Sequence, residues 1–349
     1  MPVTAGLSPF CCAGLPAPAG PLSAFVLDAV KRPPGVLGNP PEPAGDDLSD
    51  DDFQQALYLC YEVGYAGFAG VSTDWANEPS LVALRRRLSE RFLAGLTTGL
   101  DPLPEGRDIP ARLEAMISAD DSPSAADYLL HHGTQDQIRE LLVHRSAYLL
   151  KEADPHTRVV AWLRGRPKAA LVEILADEYG GGRVERMHAE LYARSLRALG
   201  MDCRENAYLA ELPGVTLATA NLTSALCDRP CWRGALLGHL AVTEMTSSGA
   251  NRRYGATLRR MGLGHPDVTD YFDEHVAADA VHDVVAAHDM AGSFARSEPD
   301  LAESVLRGAQ LLLRVEGAFA RHVIASWANG HSSLRARSSP AADTSRTDS

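Results

Sequence analysis

Apolar residues return along this chain at helical spacing, three or four positions apart, through most of its length. The pattern predicts helices over 52–68, 80–96, 108–119, 123–132 and 134–152. A second series covers 166–178, 183–199, 214–226, 231–248, 250–262, 266–288 and 298–327. Asp154-Pro155 ends the fifth helix, and Gly180-Gly181-Gly182 breaks or bends the chain between 178 and 183. No segment alternates strictly between apolar and polar, so strands are not expected, and no unit repeats at a fixed period. The pattern fails at both ends. Residues 1–45 hold ten of the 22 prolines and read as a disordered, Pro-rich leader. Residues 332–349, rich in Ser, Arg and Ala, read as a disordered tail, which leaves 46–331 as one helical domain. The acidic run Asp46, Asp47, Asp50, Asp51 and Asp52 reads as a helix start, where the helix dipole favours carboxylates.

Composition supports the all-α reading. Hydrophobic residues make up 45% of the 349, enough for a sizeable core, while aromatics are only 6% and Ala and Leu abound. The formal charge of −12, with no basic run, argues against nucleic acid or an anionic membrane as the main partner. No apolar stretch is long enough for a membrane span, and residues 1–24 lack the basic-then-apolar order of a secretory signal, so a cytoplasmic protein is expected. Cys11, Cys12, Cys60, Cys203, Cys227 and Cys231 form no CxxC pair and read as ordinary reduced thiols.

Candidate chemistry changes the picture more. His275, Asp279 and His282 stand at i, i+4 and i+7, within about 60° of one helix face. Two imidazoles and a carboxylate there suit iron or another metal that prefers N and O ligands. A helix with polar residues on its wet face explains the same spacing. Glu178 and His188 are ten apart, about 15 Å on a straight helix. The glycine break between them could bring them closer. Glu244 follows an apolar run, so its carboxylate needs a cation, an ion-pair partner or a shifted pKa. Glu152 closes another apolar run, beside Lys151 and Asp154, which could make it part of a surface network. A ferritin-like centre needs two Glu-x-x-His motifs, and only Glu185-Arg-Met-His188 is present. Zinc-finger spacings, phosphate loops and nucleophile elbows are absent.

Five runs resemble the heme-oxygenase-like diiron oxidases, also called iron-containing redox enzymes. They are Lys-Glu-Ala-Asp-Pro-His (151–156), Asp-Glu-Tyr-Gly-Gly-Gly (177–182), Glu-Met-Thr-Ser-Ser (244–248), Asn-Arg-Arg-Tyr (251–254) and Asp-Glu-His-Val-Ala-Ala-Asp-Ala-Val-His (273–282). The resemblance spans about 52–327. It implies a heme-oxygenase-like helical bundle around a central dinuclear site, with two Fe(II) per chain, O2 as co-substrate and no heme. The ligands it implies are Glu152, Glu178, His188, Glu244, His275, Asp279 and His282, with no catalytic group beyond them. It further implies that Glu152, His188 and His282 serve one iron, and that Glu178, Glu244, His275 and Asp279 favour the other. The expected activity is O2-dependent oxidation of a small amine, amino acid or fatty acid by N-oxygenation, oxidative decarboxylation or C–C cleavage. An electron donor of unidentified kind is needed, and a homodimer is left open.

Arg252, Arg253 and Tyr254 could meet a substrate carboxylate or simply begin a solvated helix. Tyr179, beside Glu178, is either close to the metal or core. His144, His156 and His239 belong to no clear set. Three rival readings remain at this point. One is a metal-free bundle enzyme of cofactor metabolism, one a non-catalytic helical binding protein, and one a heme oxygenase with an axial His.

Overall fold

Several helix starts in this protein are set by side chains that accept free N–H groups of the first turn, Asp50, Glu78, Ser124 and Thr134 among them. The computed structural model describes residues 12–336, the side chains at 279–281 excepted. Among the described residues the regular structure is helical, apart from a parallel bridge between Cys12 and Glu205. The elements are α1 (Pro21–Val30), α2 (Asp51–Glu62), α3 (Pro79–Thr97), α4 (Ile109–Ala119), α5 (Ala125–His132), α6 (Gln135–Leu149) and α7 (Asp154–Val160). They continue with α8 (Gly165–Glu178), α9 (His188–Ala198), α10 (Gly214–Leu226), α11 (Arg233–Arg260) and α12 (Pro266–Val284). A π-helical segment (Val285–Gly292), α13 (Ser293–Ser297) and α14 (Ala302–Ala328) complete the bundle.

The acidic run serves three helices rather than one. Asp50 accepts from the Phe53 N–H at 2.7 Å and caps α2. Asp51 accepts from Gly214 N–H at 2.6 Å, at the start of α10. Asp52 accepts from Leu22 and Ser23 N–H at 2.8 and 2.7 Å, at the start of α1. That last contact corrects the disordered leader. Residues 21–30 form a helix whose Leu22, Val26, Leu27 and Val30 are buried in the main core, anchored by a carboxylate on α2. The start of the expected tail is also packed. Ser333 is buried and donates to Glu140, and Arg335 pairs with Asp51 at 2.9 Å. Residues 1–11, including Cys11, and 337–349 lie outside the described residues.

The 231–248 and 250–262 helices are one, α11, because Gly249 is a tolerable cost inside a helix packed along its length. Nearly every residue of α10 is buried, so it runs through the middle of the bundle. The α11–α14 crossing is set by glycine. A Cβ at Gly238 would fall inside the Val305 carbonyl, and one at Gly308 inside the Ala235 carbonyl. This close approach holds α11, which carries Glu244, firmly in the core. A second apolar cluster, built from α5, α6, α9, α12 and the end of α14, closes the other side. The candidate centre lies among α6, α8, α9, α11 and α12. No helix among the described residues is long and apolar enough to cross a membrane.

Candidate metal centre

Glu178 is the last residue of α8 and His188 the first of α9. Gly180, Gly181 and Gly182 have φ of 62, 61 and 79°, the left-handed region that glycine enters freely. Two short 3-10 turns, Gly180–Gly182 and Val184–Arg186, then fold the chain back. As a result Glu178 Oε2 and His188 Nδ1 stand 2.9 Å apart. The glycine break therefore removes the separation that a straight helix would impose.

Four groups share one locus. Ligand atoms of Glu152, Glu178, His188 and His275 lie within 4.8 Å of one another. Glu152 comes from the turn after α6, where Ala153 is held at φ 71°. Its neighbour Lys151 is buried in an ion pair with Glu62 on α2, which fixes that turn. Tyr271 donates to both Glu152 oxygens, at 3.2 and 3.0 Å. One turn on, His275 Nδ1 lies 2.8 Å from the Tyr271 carbonyl. That contact makes Nδ1 the N–H donor and leaves Nε2, 3.7 Å from Glu152, as the nitrogen free to take a metal.

Beside this locus, His282 Nε2 meets Asp177 Oδ2 at 2.8 Å, which leaves Nδ1 facing Glu244 Oε2 at 3.5 Å. An imidazole steered by a carboxylate or carbonyl on its far nitrogen is the usual arrangement of a metal-ligating histidine. Asp279 lies on α12 between the two histidines, but its side chain is outside the described residues.

The grouping differs from the partition the resemblance implies. Glu152, His188, His275 and Glu178 come together, whereas His282 pairs with Glu244. The reason is tertiary. α12 runs past the α8–α9 turn with His275 and past α11 with His282.

Electrostatics point the same way. Burial disfavours a charged His275, yet Glu152 and Glu178 outweigh it and raise the imidazole to about 10. His282 is raised to about 9, again against burial, by Glu244 and Asp177. Burial works against a charged Glu178, but His188, His275 and His282 hold it below the ordinary carboxylate range. A site that attracts protons this strongly attracts a divalent cation as well.

The fit to a metal rests on orphaned donors. Glu178 Oε2, His188 Nδ1 and His282 Nδ1 are buried and make no aligned hydrogen bond. Glu178 and His188 approach to 2.9 Å without an aligned hydrogen bond. Buried polar atoms held this close without an aligned hydrogen bond are costly unless a cation sits between them. Imidazole and carboxylate suit iron.

A sequence model described as "Iron-containing redox enzyme" matches residues 139–317, just over half the chain. This chain belongs to the iron-containing redox enzyme family. It is an all-α member, and the membership makes it an iron-dependent oxidoreductase. The matched span contains all seven candidate ligands. The chain is also 26% identical over 170 residues to a nitrosourea synthase of Streptomyces achromogenes subsp. streptozoticus. That alignment covers 49% of this chain and 36% of the relative, so the chain spans about a third of that protein.

In this iron-containing redox enzyme a cavity of about 430 Å³ opens onto Glu152, Glu178, Glu244 and His275. Its walls are mainly apolar, with Leu141, Leu142, Leu240 and Phe319 among them. Arg145 reaches it but is matched by Glu316 at 2.8 and 2.7 Å, so that end presents no free charge. Arg253 and Tyr254 line the cavity from the middle of α11 rather than from a helix start, and Arg253 pairs with Asp127 at 2.6 Å. Arg252 is exposed. Tyr179 turns away and donates to Asp154 at 2.7 Å.

Two supporting groups escaped the sequence reading. Asp177 had no signal beyond preceding Glu178. Tyr271 had one, since it stands four residues before His275 on the same helix face. Of the three unassigned imidazoles, His144 is a satisfied core residue between Thr216 and Ser333, at 2.8 and 3.0 Å. His156 and His239 line the cavity.

Proposed function

We propose that this chain is an O2-dependent non-heme diiron oxygenase acting on a small nitrogen-bearing substrate. The observation that carries the reading is the convergence of Glu152, Glu178, His188 and His275 within 4.8 Å, with Glu152, Glu178 and His275 on the wall of a mainly apolar cavity. Glu152, Glu178, His188 and His275 would hold one ion. His282 and Glu244 would hold a second, with Asp279 on the same helix, and Glu178, which feels the His282 charge, would lie between the two. Bound Fe(II) would supply electrons and open coordination positions for O2. Nitrogen oxidation is favoured over the other outcomes because the matched relative is named for a nitrosourea, a product whose nitroso group is an oxidised nitrogen. Reducing equivalents would come from a donor outside the chain.

The chain's own residues do the remaining work. Tyr271 holds Glu152 with its hydroxyl and His275 with its carbonyl. Burial first, and then Glu152, push its phenol well above the ordinary range, so it stays a donor throughout. Asp177 fixes the His282 tautomer from the solvent side. The apolar wall keeps bulk water from competing with substrate.

The test is anaerobic loading with Fe(II), then mixing with 18O2 in the presence of small amines, guanidines and amino acids. One or more products should carry 18O on nitrogen, and Tyr271→Phe should slow their formation. Iron-dependent O2 uptake with oxygen placed only on carbon would reject the nitrogen assignment. No iron-dependent uptake would reject the reading.

A further inference from the structure

Exposure locates the mouth of the cavity. Of the residues that line it, Asp120, Pro123, Ser124 and Thr246 are exposed, and the others are buried or half-buried. Asp120, Pro123 and Ser124 belong to the connection between α4 and α5, and Thr246 to α11. The opening therefore lies between that connection and the middle of α11. The helices on either side of the connection are anchored. Leu113 and Met116 of α4 are buried in the main core. Asp127 of α5 pairs with Arg253 at 2.6 Å, and Arg260 donates to the Leu129 and Gly133 carbonyls at 2.8 and 3.0 Å. Residues 120–124 thus form a short rim strung between two fixed points.

A glycine seats this rim on α14. Gly317 lies inside that helix, where glycine is disfavoured relative to alanine. Its backbone is helical, so no left-handed conformation calls for it. Space does. A Cβ at Gly317 would overlap Ser122 Oγ and lie 3.2 Å from Ser122 Cβ. Ser122 also accepts from Arg321, one turn further along α14, at 3.4 Å. Its N–H donates to Asp120 Oδ1 at 3.1 Å, which draws the connection into a turn. The missing side chain lets the rim come down onto α14, where Gly317, Glu316 and Ala320 themselves line the cavity. We infer that the 120–124 connection, seated by Ser122 against Gly317, is the size filter of the cavity and sets how large a molecule reaches the candidate centre. The inference rests on the reading of this cavity as the substrate chamber. It makes Ser122 and Gly317 specificity-determining residues that touch neither metal ligand nor metal.

The test places a reporter thiol inside the cavity and asks what reaches it. Leu240 lines the cavity six residues before Thr246, about 9 Å further along α11. Leu240→Cys is therefore the background, and none of the described free cysteines lines the cavity. The full chain, with its iron counted, is labelled with methyl methanethiosulfonate or with bulky dansylaminoethyl methanethiosulfonate. Both react with a thiol by the same chemistry and release methanesulfinate, so their rate ratio reads access rather than thiol reactivity. Peptide mass mapping separates residue 240 from the native thiols. Relative to free cysteine, the background should disfavour the bulky reagent about tenfold or more. Gly317→Ala lifts the rim from below, and Ser122→Leu lifts it from the loop side. Each should raise the bulky rate about tenfold and the small rate much less. Ser122→Gly added to Gly317→Ala makes room for the new methyl and should return the bulky rate close to the background.

Bulky labelling that is the same in all folded variants would overturn the inference. So would a background that takes both reagents as free cysteine does, or one that takes neither in any variant. Rates that rise together for both reagents, or a Gly317→Ala effect that Ser122→Gly leaves unchanged, would show general loosening of α14 and would overturn it too. Should Gly317→Ala fail to fold, Ser122→Leu decides, since it alters only a loop position. A chain that shows the filter yet takes no iron keeps this inference and loses the diiron reading. A chain that takes iron but labels without regard to size does the reverse.

Discussion

Gly180→Ala and Gly181→Ala make a matched pair of perturbations. Both positions have φ near +60°, at 62 and 61°, so alanine at either costs about 1–2 kcal/mol of backbone strain. They differ in what the new methyl would meet. At Gly181 no heavy atom lies within 4 Å. At Gly180 the Cβ would lie 2.6 Å from the Arg186 carbonyl carbon and 2.7 Å from Met187 N, backbone atoms that cannot rotate away. Relief requires moving Arg186 and Met187, the two residues directly ahead of His188. Overpacking of that kind adds about 1–3 kcal/mol, so Gly180→Ala should cost roughly 2–5 kcal/mol in all. Metal sites tolerate only about 0.2 Å of ligand displacement, so its Fe(II) affinity should fall at least about tenfold. Gly181→Ala should lose the strain energy alone and bind iron like the wild type. Urea unfolding and anaerobic Fe(II) titration measure both quantities. Equal stability and equal iron affinity for the two variants would refute the claim that the turn at Gly180 sets the Glu178–His188 distance.

Asp177→Asn should lower Fe(II) affinity about 10–100-fold with an unchanged circular dichroism spectrum, because it weakens only the bond that steers His282; equilibrium dialysis reads this. Tyr271→Phe should have an effect of similar size through Glu152, and wild-type affinity in that variant would remove the tyrosine from the account. Lys151→Met should destabilise the fold by about 3–5 kcal/mol, since it leaves the fully buried Glu62 without its cation. Lys151→Met with Glu62→Gln should recover most of that loss in denaturant melts. Acid should also weaken the fold. Burial lowers His156 to about 4 and His239 to about 3, from an ordinary value of about 6.5. A depressed folded pKa gives stability that is complete above the unfolded value and lost as pH falls. Unfolding free energy should therefore drop from about pH 6.5 towards pH 4, and His156→Gln should flatten the slope.

The helical class was legible because period and composition agreed, and 214–226 was bounded as observed because Pro213-Gly214 opens that helix. The Gly180–Gly182 turn was legible too, since three consecutive glycines on a helical pattern have few other uses. α1 was hidden by proline density on either side, although Leu22, Val26, Leu27 and Val30 keep helical spacing. What orders it is Asp52, a residue 30 positions away from Leu22, and no local signal announces such a contact. The site divides in the same manner. Spacing showed that His275 and His282 share a face of α12. Which carboxylate each would meet depends on how α8, α9 and α11 pack around that helix. Asp177 depends on the same packing, and its role appears only once its bond to His282 is counted.

The most direct test of the central claim is the iron stoichiometry of four proteins loaded anaerobically with Fe(II): wild type, His188→Ala, His275→Ala and His282→Ala. The wild type should hold close to two irons. His188→Ala and His275→Ala should lose the ion at the Glu152–Glu178 locus. His282→Ala should keep that ion and lose the one beside Glu244. A wild type without specific iron, or a stoichiometry that none of the three substitutions changes, would contradict the account.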